Sequence, residues 1–504
     1  MPSLGPKGSC SHAPWGLAAP RTIGGHLALA ATGTLGPMPR TKLVCTIGPA
    51  TIERVAELVD VGMDTARINF SHATPADRRQ TAERVRAAAE AAGRPIAILA
   101  DLAGPKIRLG EVGGGAVDLE AGDRFVLAGR PDAEGGRHGA GVTYRRLAAD
   151  LERGDRVLLA DGAAELRVSA TDGDDVETEV VRGGTIRSRA GVNVPSERLS
   201  TPALTDADRA DAPTAVEIGA HYVAQSFVRR AADLHELRDL LGRDGPPIVA
   251  KIETRPAIDD FDAICDAAGA VMIARGDLGV ELPYEEVPIL QKQLVRRALD
   301  RGVPTIVATQ MLESMMASPR PTRAETSDVA NAIFDGADAV MLSGETAIGE
   351  HPILAAEAAI RICRLVEDRG RAFLPAGGVP GGHTDAGALA TAAAAIAATE
   401  HDVAAIACYT RTGHTARIIA ARRPRVPILA FSPDPAVVGR LALVRGVEPR
   451  SCVPPPDAGE RLGLMAWLLD EDHTFPRGSA VVLVASTARP GSGPNLLELH
   501  RVAG

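Results

Sequence analysis

The chain has 504 residues, a formal net charge of −9 and six cysteines without CxxC spacing. Its length predicts two to four domains of about 100–200 residues each, and its acidic balance argues against partners such as nucleic acid or a membrane surface. The scattered cysteines favour a reducing compartment, and no apolar run reaches the roughly 18 residues of a transmembrane helix, so we expect a cytoplasmic protein that binds small molecules or further copies of itself.

The first 39 residues differ in composition from the rest of the chain. Gly, Ala, Pro and Ser are abundant there, and the first acidic residue is Glu53. Such a segment has too little patterned apolar surface to pack, so we expect residues 1–39 to be disordered. A transit peptide has a similar composition. We favour Met38 as the natural start, because ordered pattern begins directly after it.

From Thr41 onward, short apolar runs rich in Val, Ile and Ala alternate with amphipathic helical segments. Thr74 and Pro75 are typical of a helix cap and first turn, and Gly93 of a helix end. Near-continuous apolar strands that alternate with helices indicate a parallel sheet, and eight of them indicate an α/β fold of the closed (β/α)8 barrel type. The predicted strands are TKLVCTIG, TARINF, PIAILADL, HYVAQSF, PIVAKIE, AVMIARGD, PTIVATQ and AVMLSGE.

Between the third and fourth predicted strands, the pattern changes to short alternating stretches broken by Gly and Asp. Residues 106–198 therefore predict an inserted all-β domain, a small β-barrel. The catalytic barrel is left with residues 40–105 and 199–365, close to the ~250 residues typical of such barrels. After a Gly- and Pro-rich link, residues 366–504 hold the strands VAAIACYT, VPILAFS and SAVVLVAS and predict a C-terminal α/β domain.

Polar side chains follow six of the eight predicted strands at their carboxyl ends, where barrel enzymes carry their chemistry. Lys251 and Glu253 end the fifth strand and point to one face, because strand side chains alternate. Taken alone, Lys251 and Glu253 could be a structural ion pair and Asp277 a turn cap. Polar groups at the ends of six strands, all on one face of the barrel, instead indicate a functional site. The others are Arg67, Asn69, Ser71, Asp101, Arg108, Arg275, Thr309, Gln310, Ser343 and Glu345.

These residue types suggest chemistry on a phosphate. Glu253 and Asp277 end successive strands and should be neighbours, and Mg²⁺ commonly takes one or two protein carboxylates and completes its shell with water and substrate phosphates. Arg67, Arg108 and Lys251 add positive charge, which stabilises a phosphoryl group in transfer. We therefore predict phosphoryl transfer without a Walker loop.

Around these residues the chain resembles the pyruvate kinases, from about residue 41 to residue 503. The resemblance implies transfer of the phosphoryl group of phosphoenolpyruvate to ADP, giving pyruvate and ATP, with Mg²⁺ or Mn²⁺. It also implies a homotetramer in which the insert acts as a lid over the nucleotide. The motifs are TKLVCTIGPAT, GMDTARINFSH, VAKIE, ARGDLGVE, ATQMLESM and PRPTRAETSDVANAIFDGADAVMLSGETA.

The resemblance further implies roles for single residues. Lys251 would neutralise the phosphoryl group in transit, Arg67 would bind phosphate, and Glu253 and Asp277 would hold the metal. Proton delivery is implied for Thr309, Ser343 and Glu345. Substrate or nucleotide contacts are implied for Asn69, His72, Arg108, Ala274, Arg275, Gly276, Asp277 and Thr309.

The chain departs from the family after the third strand. Members that require potassium carry Asp-Thr-Lys-Gly-Pro-Glu-Ile-Arg where this chain has DLAGPKIR, so Lys106 replaces the Glu and Leu102 the Thr. An ammonium brings covalently the charge that a bound monovalent cation would supply. We therefore expect activity without K⁺, although Asn69, Ser71 and Asp101 keep the remainder of the family's cation site. The alternative is that Lys106 points into solvent.

Two further segments leave alternatives open. Ala190 stands where the family often has a nucleotide-contacting Lys, and Arg187 or Arg189 could substitute. The segment YTRTGHTARIIA falls where the family binds phosphorylated effectors, and a loop that feeds a helix N-terminus suits a phosphate; an ordinary capped helix is the alternative. The candidate effector residues are Thr410, Thr412, Gly413 and Thr415.

Two rival functions account for parts of the sequence. A barrel lyase acting on phosphoenolpyruvate or pyruvate would also place Glu and Asp around magnesium, but it explains neither Lys251 nor the lid. A catalytically silent relative that binds metabolites would be expected to lack Lys251, Glu253 or Asp277, and all three are present.

Overall fold

The structure is a computed structural model that describes residues 38–378, 384–400, 402–455, 457–472, 475–486 and 494–503. The disorder predicted for the N-terminal segment concerns residues that lie, up to residue 37, outside this description. Within the described ranges, every helix is too short or too polar to span a lipid bilayer.

Eight parallel strands close into a barrel, in which the first strand pairs with both the second and the eighth. Almost every strand residue is buried, because side chains fill the interior and helices cover the outside. The predicted (β/α)8 fold is confirmed. The barrel strands are, in order, Lys42–Ile47, Thr65–Asn69, Ala97–Asp101, Tyr222–Gln225, Ile248–Ile252, Ala270–Ala274, Thr305–Ala308 and Ala339–Leu342.

Three of the helices that cover the barrel begin at strong caps. Thr74, Thr205 and Thr322 each form a capping box, in which the hydroxyl accepts from the N3 amide and the N3 carboxylate accepts from the cap amide. The helices of this unit are Val55–Val61, Pro75–Ala91, Asp206–Glu217, Asp233–Leu241, Arg255–Asp259, Phe261–Ala267, Arg275–Glu281, Val287–Arg301, Arg323–Asp335, Gly344–Ala347 and Pro352–Arg369. Short 3₁₀ turns are Ser196–Arg198, Glu313–Met316 and Arg371–Phe373.

The chain leaves the barrel after the third strand, forms an all-β insert and returns before the fourth strand. The insert has a six-stranded and a two-stranded sheet that share one apolar core, in which Phe125 and Leu127 are fully buried. An all-β insert at this point is confirmed. Its strands are Ala116–Leu119, Arg124–Ala128, Gly139–Gly141, Arg156–Leu159, Ala164–Asp172, Asp175–Arg182, Gly184–Arg187 and Val192–Asn193, and its helix is Leu147–Asp150.

The C-terminal part is an α/β unit around a five-stranded sheet, four strands of which are parallel. Sequence patterns revealed the three central strands but not the two edge strands, whose side chains are mostly polar or exposed. Across the sheet the strands are Val447–Ser451, Ile428–Ser432, Val403–Tyr409, Ala480–Ala485 and Leu496–Arg501. The helices are Asp385–Thr399, His414–Ala421, Pro435–Leu441 and Arg461–Asp472, with a 3₁₀ turn at Ala458–Glu460.

The C-terminal unit closes the amino-terminal end of the barrel. Leu443 is fully buried and belongs to the cluster of side chains that fills the barrel interior. Tyr222, the first residue of the fourth strand, donates its hydroxyl to the carbonyl of Arg440 at 3.0 Å. Arg423 forms a 2.9 Å ion pair with Asp338, which directly precedes the eighth strand. The C-terminal unit therefore supplies part of the barrel core.

We expect Leu443→Ala to lower the free energy of unfolding by about 2–5 kcal/mol, because it opens a cavity in the barrel interior. Chemical denaturation measures the change. Leu365→Ala is the matched control, since that side chain is 55% exposed and its loss should change stability by at most about 0.5 kcal/mol. Equal effects of the two substitutions would show that Leu443 is not part of the barrel core.

Candidate active site

The loops at the carboxyl ends of the barrel strands have an unusual backbone. Phe227, Thr309 and Gln310 adopt positive φ angles of 54°, 69° and 54°. Non-glycine residues rarely occupy this region, least of all a β-branched Thr, and such strain concentrates at functional sites. The strained backbone therefore lies at the same end of the barrel as the predicted polar site residues.

Lys251 is the centre of a buried ionic cluster at this mouth. Its Nζ lies 2.9 Å from Glu253 Oε1 and 3.6 Å from Asp101 Oδ1, and it donates to Ser226 Oγ at 2.7 Å. Arg67 joins the cluster through a 2.6 Å contact between its Nε and Asp101 Oδ2. The side chains of Asp101 and Glu253 are at most 2% exposed. Two cations and two carboxylates thus neutralise each other away from water.

Burial and ion pairing act against each other on the pKa values in this cluster. Burial by itself would raise the pKa of Asp101, but Lys251 and Arg67 hold it below its ordinary value. Burial would lower the pKa of Lys251, but Asp101 and Glu253 raise it above its ordinary value. Burial raises the pKa of Glu253, against the opposing effect of Lys251. Lys251 is therefore a firmly protonated cation at neutral pH.

The two predicted metal ligands line one cavity at the mouth. The Phe227 amide donates to Glu253 Oε2 at 2.8 Å, while Glu253 Oε1 is buried and receives no hydrogen bond from the described residues beyond its ion pair. In the described part of the chain, no three His, Cys, Asp or Glu side chains group in a way that could hold a metal. Two carboxylates suffice for Mg²⁺ that takes its other ligands from water and substrate, so Glu253 and Asp277 fit this ion.

Lys106 points into the mouth and not into solvent. Its Nζ lies 3.1 Å from Asp277 Oδ1 and 3.9 Å from Asp161 Oδ1, and its side chain is 29% exposed. Asp277 belongs to the barrel and Asp161 to the insert. The ammonium of Lys106 therefore stands between the two units, beside one of the predicted metal ligands.

Arg275 and Thr309 hold the loops after the sixth and seventh strands together. Arg275 Nη2 donates to the Thr309 carbonyl at 2.7 Å, and Nη1 lies 2.7 Å from the carboxylate of Asp328. The Gly276 amide donates to Thr309 Oγ1 at 2.7 Å, and Thr309 Oγ1 donates to the Ala308 carbonyl at 2.6 Å. The strained Thr309 backbone is therefore fixed from both sides, with its hydroxyl at the mouth.

Glu345 binds the backbone of two loops at the barrel mouth. It is buried, and its carboxylate accepts the amides of Leu312 at 3.0 Å and Ser343 at 2.7 Å. These two bonds join the loops that follow the seventh and eighth strands. The implied role of Ser343 and Glu345 in proton delivery stays a prediction.

The remaining predicted residues differ in their exposure and contacts. His72 and Ser71 are exposed, and Asn69 Oδ1 accepts the Ser71 amide at 3.1 Å. Arg108 Nη1 donates to the carbonyl of Arg189 in the insert at 3.3 Å. Of the residues of the predicted cation site, Asp101 is paired with the two cations and Leu102 is 1% exposed. Ala274, an implied substrate contact, is also 1% exposed.

The predicted effector loop is capped by its own hydroxyls. Thr410 Oγ1 accepts the Gly413 amide at 2.9 Å, and Thr412 Oγ1 accepts the His414 amide at 3.4 Å. Gly413, with φ of 82°, precedes the helix His414–Ala421, and the partly exposed Thr415 lies in its first turn. The loop has the geometry of a capped helix, and whether it also binds a phosphate stays a prediction.

Sequence reasoning missed four residues that shape the site. Ser226 and Phe227 follow the fourth strand, and Thr46, which accepts from Arg67 Nη1 at 3.0 Å, lies next to the last residue of the first. The search for polar side chains at strand ends would have found Ser226 and Thr46, but not Phe227, which contributes its backbone amide. Asp328 lies on the helix Arg323–Asp335, and only its contact with Arg275 in space reveals it.

Comparisons with known proteins agree with this geometry. Residues 38–356 match the family described as "Pyruvate kinase, barrel domain", and residues 388–500 match "Pyruvate kinase, alpha/beta domain". Pyruvate kinases of Mycobacterium intracellulare and Mycobacterium tuberculosis are each 43% identical over 92% of this chain and 98% of their own. That of Corynebacterium glutamicum is 40% identical over 92% and 97%. A crystal structure of a Cryptosporidium parvum pyruvate kinase superimposes with a TM-score of 0.82 and 31% identity, covering 93% of this chain and 100% of that one.

We expect Lys251→Met to lower the free energy of unfolding at pH 7 by about 3 kcal/mol, because it leaves buried carboxylates without their cation. The deficit should shrink as the pH falls towards 4. Without Lys251, the pKa values of Asp101 and Glu253 rise, so the folded variant binds more protons than the unfolded chain and gains stability on acidification.

Urea unfolding at several pH values tests this expectation. Arg243→Met, at an exposed side chain in the loop before the fifth strand, is the control and should change the free energy of unfolding by at most about 0.5 kcal/mol. A deficit of Lys251→Met that stays constant from pH 7 to pH 4 would contradict the buried cluster.

Proposed function

The chain belongs to the pyruvate kinase family and is therefore a phosphotransferase, and we propose that it transfers the phosphoryl group of phosphoenolpyruvate to ADP with Mg²⁺, forming pyruvate and ATP. The observation that carries the proposal is the buried cluster of Lys251, Glu253, Asp101 and Arg67 beside Asp277. Such a cluster holds two cations in place before any substrate binds. Preorganised charge of this kind stabilises a phosphoryl group in transfer without reorganisation at the moment of reaction.

In this proposal, Lys251 and Arg67 face the transferring phosphoryl group. Lys251 keeps its proton, since the carboxylates around it raise its pKa, so it acts as a fixed cation and not as a proton donor. Glu253 and Asp277 would hold the divalent cation, which when bound neutralises phosphate oxygens and orients them. Glu253 thus pairs with Lys251 and, together with Asp277, would hold the metal.

The substrate carboxylate would lie against the loop from Ala274 to Asp277, near Thr309. We propose that the Thr309 hydroxyl, which accepts the Gly276 amide at 2.7 Å, relays a proton to the enolpyruvate: it gives up its own proton and takes one from a solvent water. Glu345 would act through the loops that it joins, because both of its oxygens accept backbone amides. The insert would close over the nucleotide and exclude water, which competes as a phosphoryl acceptor.

We expect the purified chain to form pyruvate and ATP from phosphoenolpyruvate and ADP only when Mg²⁺ or Mn²⁺ is present. A coupled assay that follows pyruvate, with and without a chelator, measures this. Lys251→Met should lose about 10²–10³-fold in kcat, whereas the control Arg243→Met, at an exposed side chain, should keep the wild-type rate. Turnover of phosphoenolpyruvate without ADP would favour a barrel lyase, and no turnover by the folded protein would favour the silent metabolite-binding relative.

Potassium independence is the second part of the proposal. The support for it is the position of Lys106, whose ammonium stands at the mouth 3.1 Å from Asp277. Asp101, which belongs to the family's cation site, is already neutralised by Lys251 and Arg67. These two pairs lie on motifs that the potassium-requiring relatives share, so Lys106 is the charge that would make a bound K⁺ unnecessary.

We expect equal rates in potassium-free buffer and in buffer with added K⁺, and a K⁺ requirement in Lys106→Glu, which restores the carboxylate of potassium-dependent relatives. Arg243→Glu makes the same charge change in the exposed loop before the fifth strand, at the opposite end of the barrel, and should stay indifferent to K⁺. A Lys106→Glu variant that is active and indifferent to K⁺ would refute the role of Lys106, as would a wild type that needs K⁺.

Three finer features stay predictions from the sequence and from the family. They are a phosphorylated effector at the loop of Thr410, Thr412, Gly413 and Thr415, a homotetramer, and a cytoplasmic location.

A further inference from the structure

The insert is joined to the barrel by two chain crossings that pair with each other. The Val192 amide donates to the Ile107 carbonyl at 2.9 Å, so the outgoing and the returning chain form one connection. On the outgoing side, the Gly104 amide donates to Asp208 Oδ1 at 3.1 Å. Any movement of the insert relative to the barrel must therefore pivot close to these crossings.

A single carboxylate anchors the returning crossing. Glu281 Oε1 accepts both the amide of Ser196, at 3.3 Å, and the Ser196 hydroxyl. The same oxygen accepts the Arg255 amide at 3.4 Å. Burial raises the pKa of Glu281, against the opposing effect of these hydrogen bonds. Ser196 follows the last strand of the insert, so Glu281 holds the chain where it leaves that unit.

Glu281 connects this anchor to both predicted metal ligands. It ends the helix Arg275–Glu281, in which Asp277 lies one turn earlier on the same face. Arg255 begins the next element after Glu253, so its amide ties the fifth strand end to the same carboxylate. Ser196, Glu253, Asp277 and Glu281 all line the cavity at the mouth. A displacement of the crossing would therefore displace the groups that would hold the metal.

Beyond Ser196 the returning chain is bonded to both units: the Ser200 amide donates to Asp150 Oδ2 of the insert at 2.8 Å, while two carbonyls accept from the barrel. Arg229 Nη1 donates to the Leu199 carbonyl at 2.7 Å, and its Nη2 donates to the Thr201 carbonyl at 2.5 Å. Before Ser196, the strand Val192–Asn193 pairs with a strand of the insert. Among the described residues, Ser196 is thus the first one of the returning chain that hydrogen-bonds a side chain of the barrel.

We propose that Glu281 is a positioning residue that fixes the pivot of the insert to the helix carrying Asp277, so that closure over the nucleotide and placement of Asp277 are coupled. The proposal rests on the proposed function in one respect, namely that the insert closes over ADP. Glu281 contributes hydrogen-bond acceptors and takes no part in the transfer of charge or protons.

The test compares Glu281→Ala with Glu281→Gln. Glu281→Ala removes the acceptor and should lower kcat/KM for ADP about tenfold or more, because closure of the insert and placement of Asp277 both depend on it. Glu281→Gln keeps an acceptor oxygen and should restore most of the loss. Glu285→Ala is the matched control, because Glu285 is an exposed Glu close by and should behave as wild type.

Amide hydrogen exchange supplies a readout that does not depend on turnover. Peptides that contain Ser196 and Arg255 should exchange faster in Glu281→Ala, and at the wild-type rate in Glu281→Gln and Glu285→Ala. If the wild-type protein had no kinase activity and these peptides still exchanged faster in Glu281→Ala, the proposed function would fail and the role of Glu281 at the pivot would stand. The proposal fails if Glu281→Ala changes neither kcat/KM for ADP nor the amide exchange. It also fails if Glu281→Gln is as impaired as Glu281→Ala, because the negative charge of Glu281 would then be required.

Discussion

Mutual neutralisation of buried charges at the barrel mouth is the constraint on which the site depends. Moving one carboxylate or ammonium out of water costs several kcal/mol unless a partner of opposite charge is in place. The cluster satisfies this with Lys251 between Asp101 and Glu253, and with Arg67 on the far side of Asp101. Its members come from the second, third and fifth strands, with Ser226 after the fourth, so correct closure of the barrel is a condition for neutrality. A barrel in the wrong register would bury unpaired charge.

The same requirement explains the surroundings of the cluster. Strained backbone at Phe227 and Thr309 brings one amide to Glu253 and one hydroxyl to the mouth, and each strained residue is held by hydrogen bonds to a neighbouring strand end. Asp277 faces Lys106 in a similar way. Contacts between loops that are distant in sequence therefore fix the positions of the charged side chains, and the ion pairs between those side chains in turn hold the loops.

Much of the fold could be predicted from the sequence, because a parallel strand that is buried on both faces is a continuous apolar run. The C-terminal edge strands Val447–Ser451 and Leu496–Arg501 escaped this rule, since an edge strand with exposed side chains has no such run. For the site, the strand-end rule found Lys251, Glu253 and Asp277. Which of them pair, and that Lys106 faces Asp277, follows only from the three-dimensional packing of segments far apart in the chain.

The burial of Leu443 in the barrel interior has a consequence for how the protein is made. The ribosome completes the eighth strand at Leu342 well before it synthesises the residue that fills the amino-terminal end of the same barrel. Until then the nascent barrel has an open, apolar end, which is the kind of surface that aggregates or recruits chaperones during synthesis. Final closure of the barrel is therefore a step that follows translation of the C-terminal unit, and a chain that terminates early exposes the inside of its own catalytic domain.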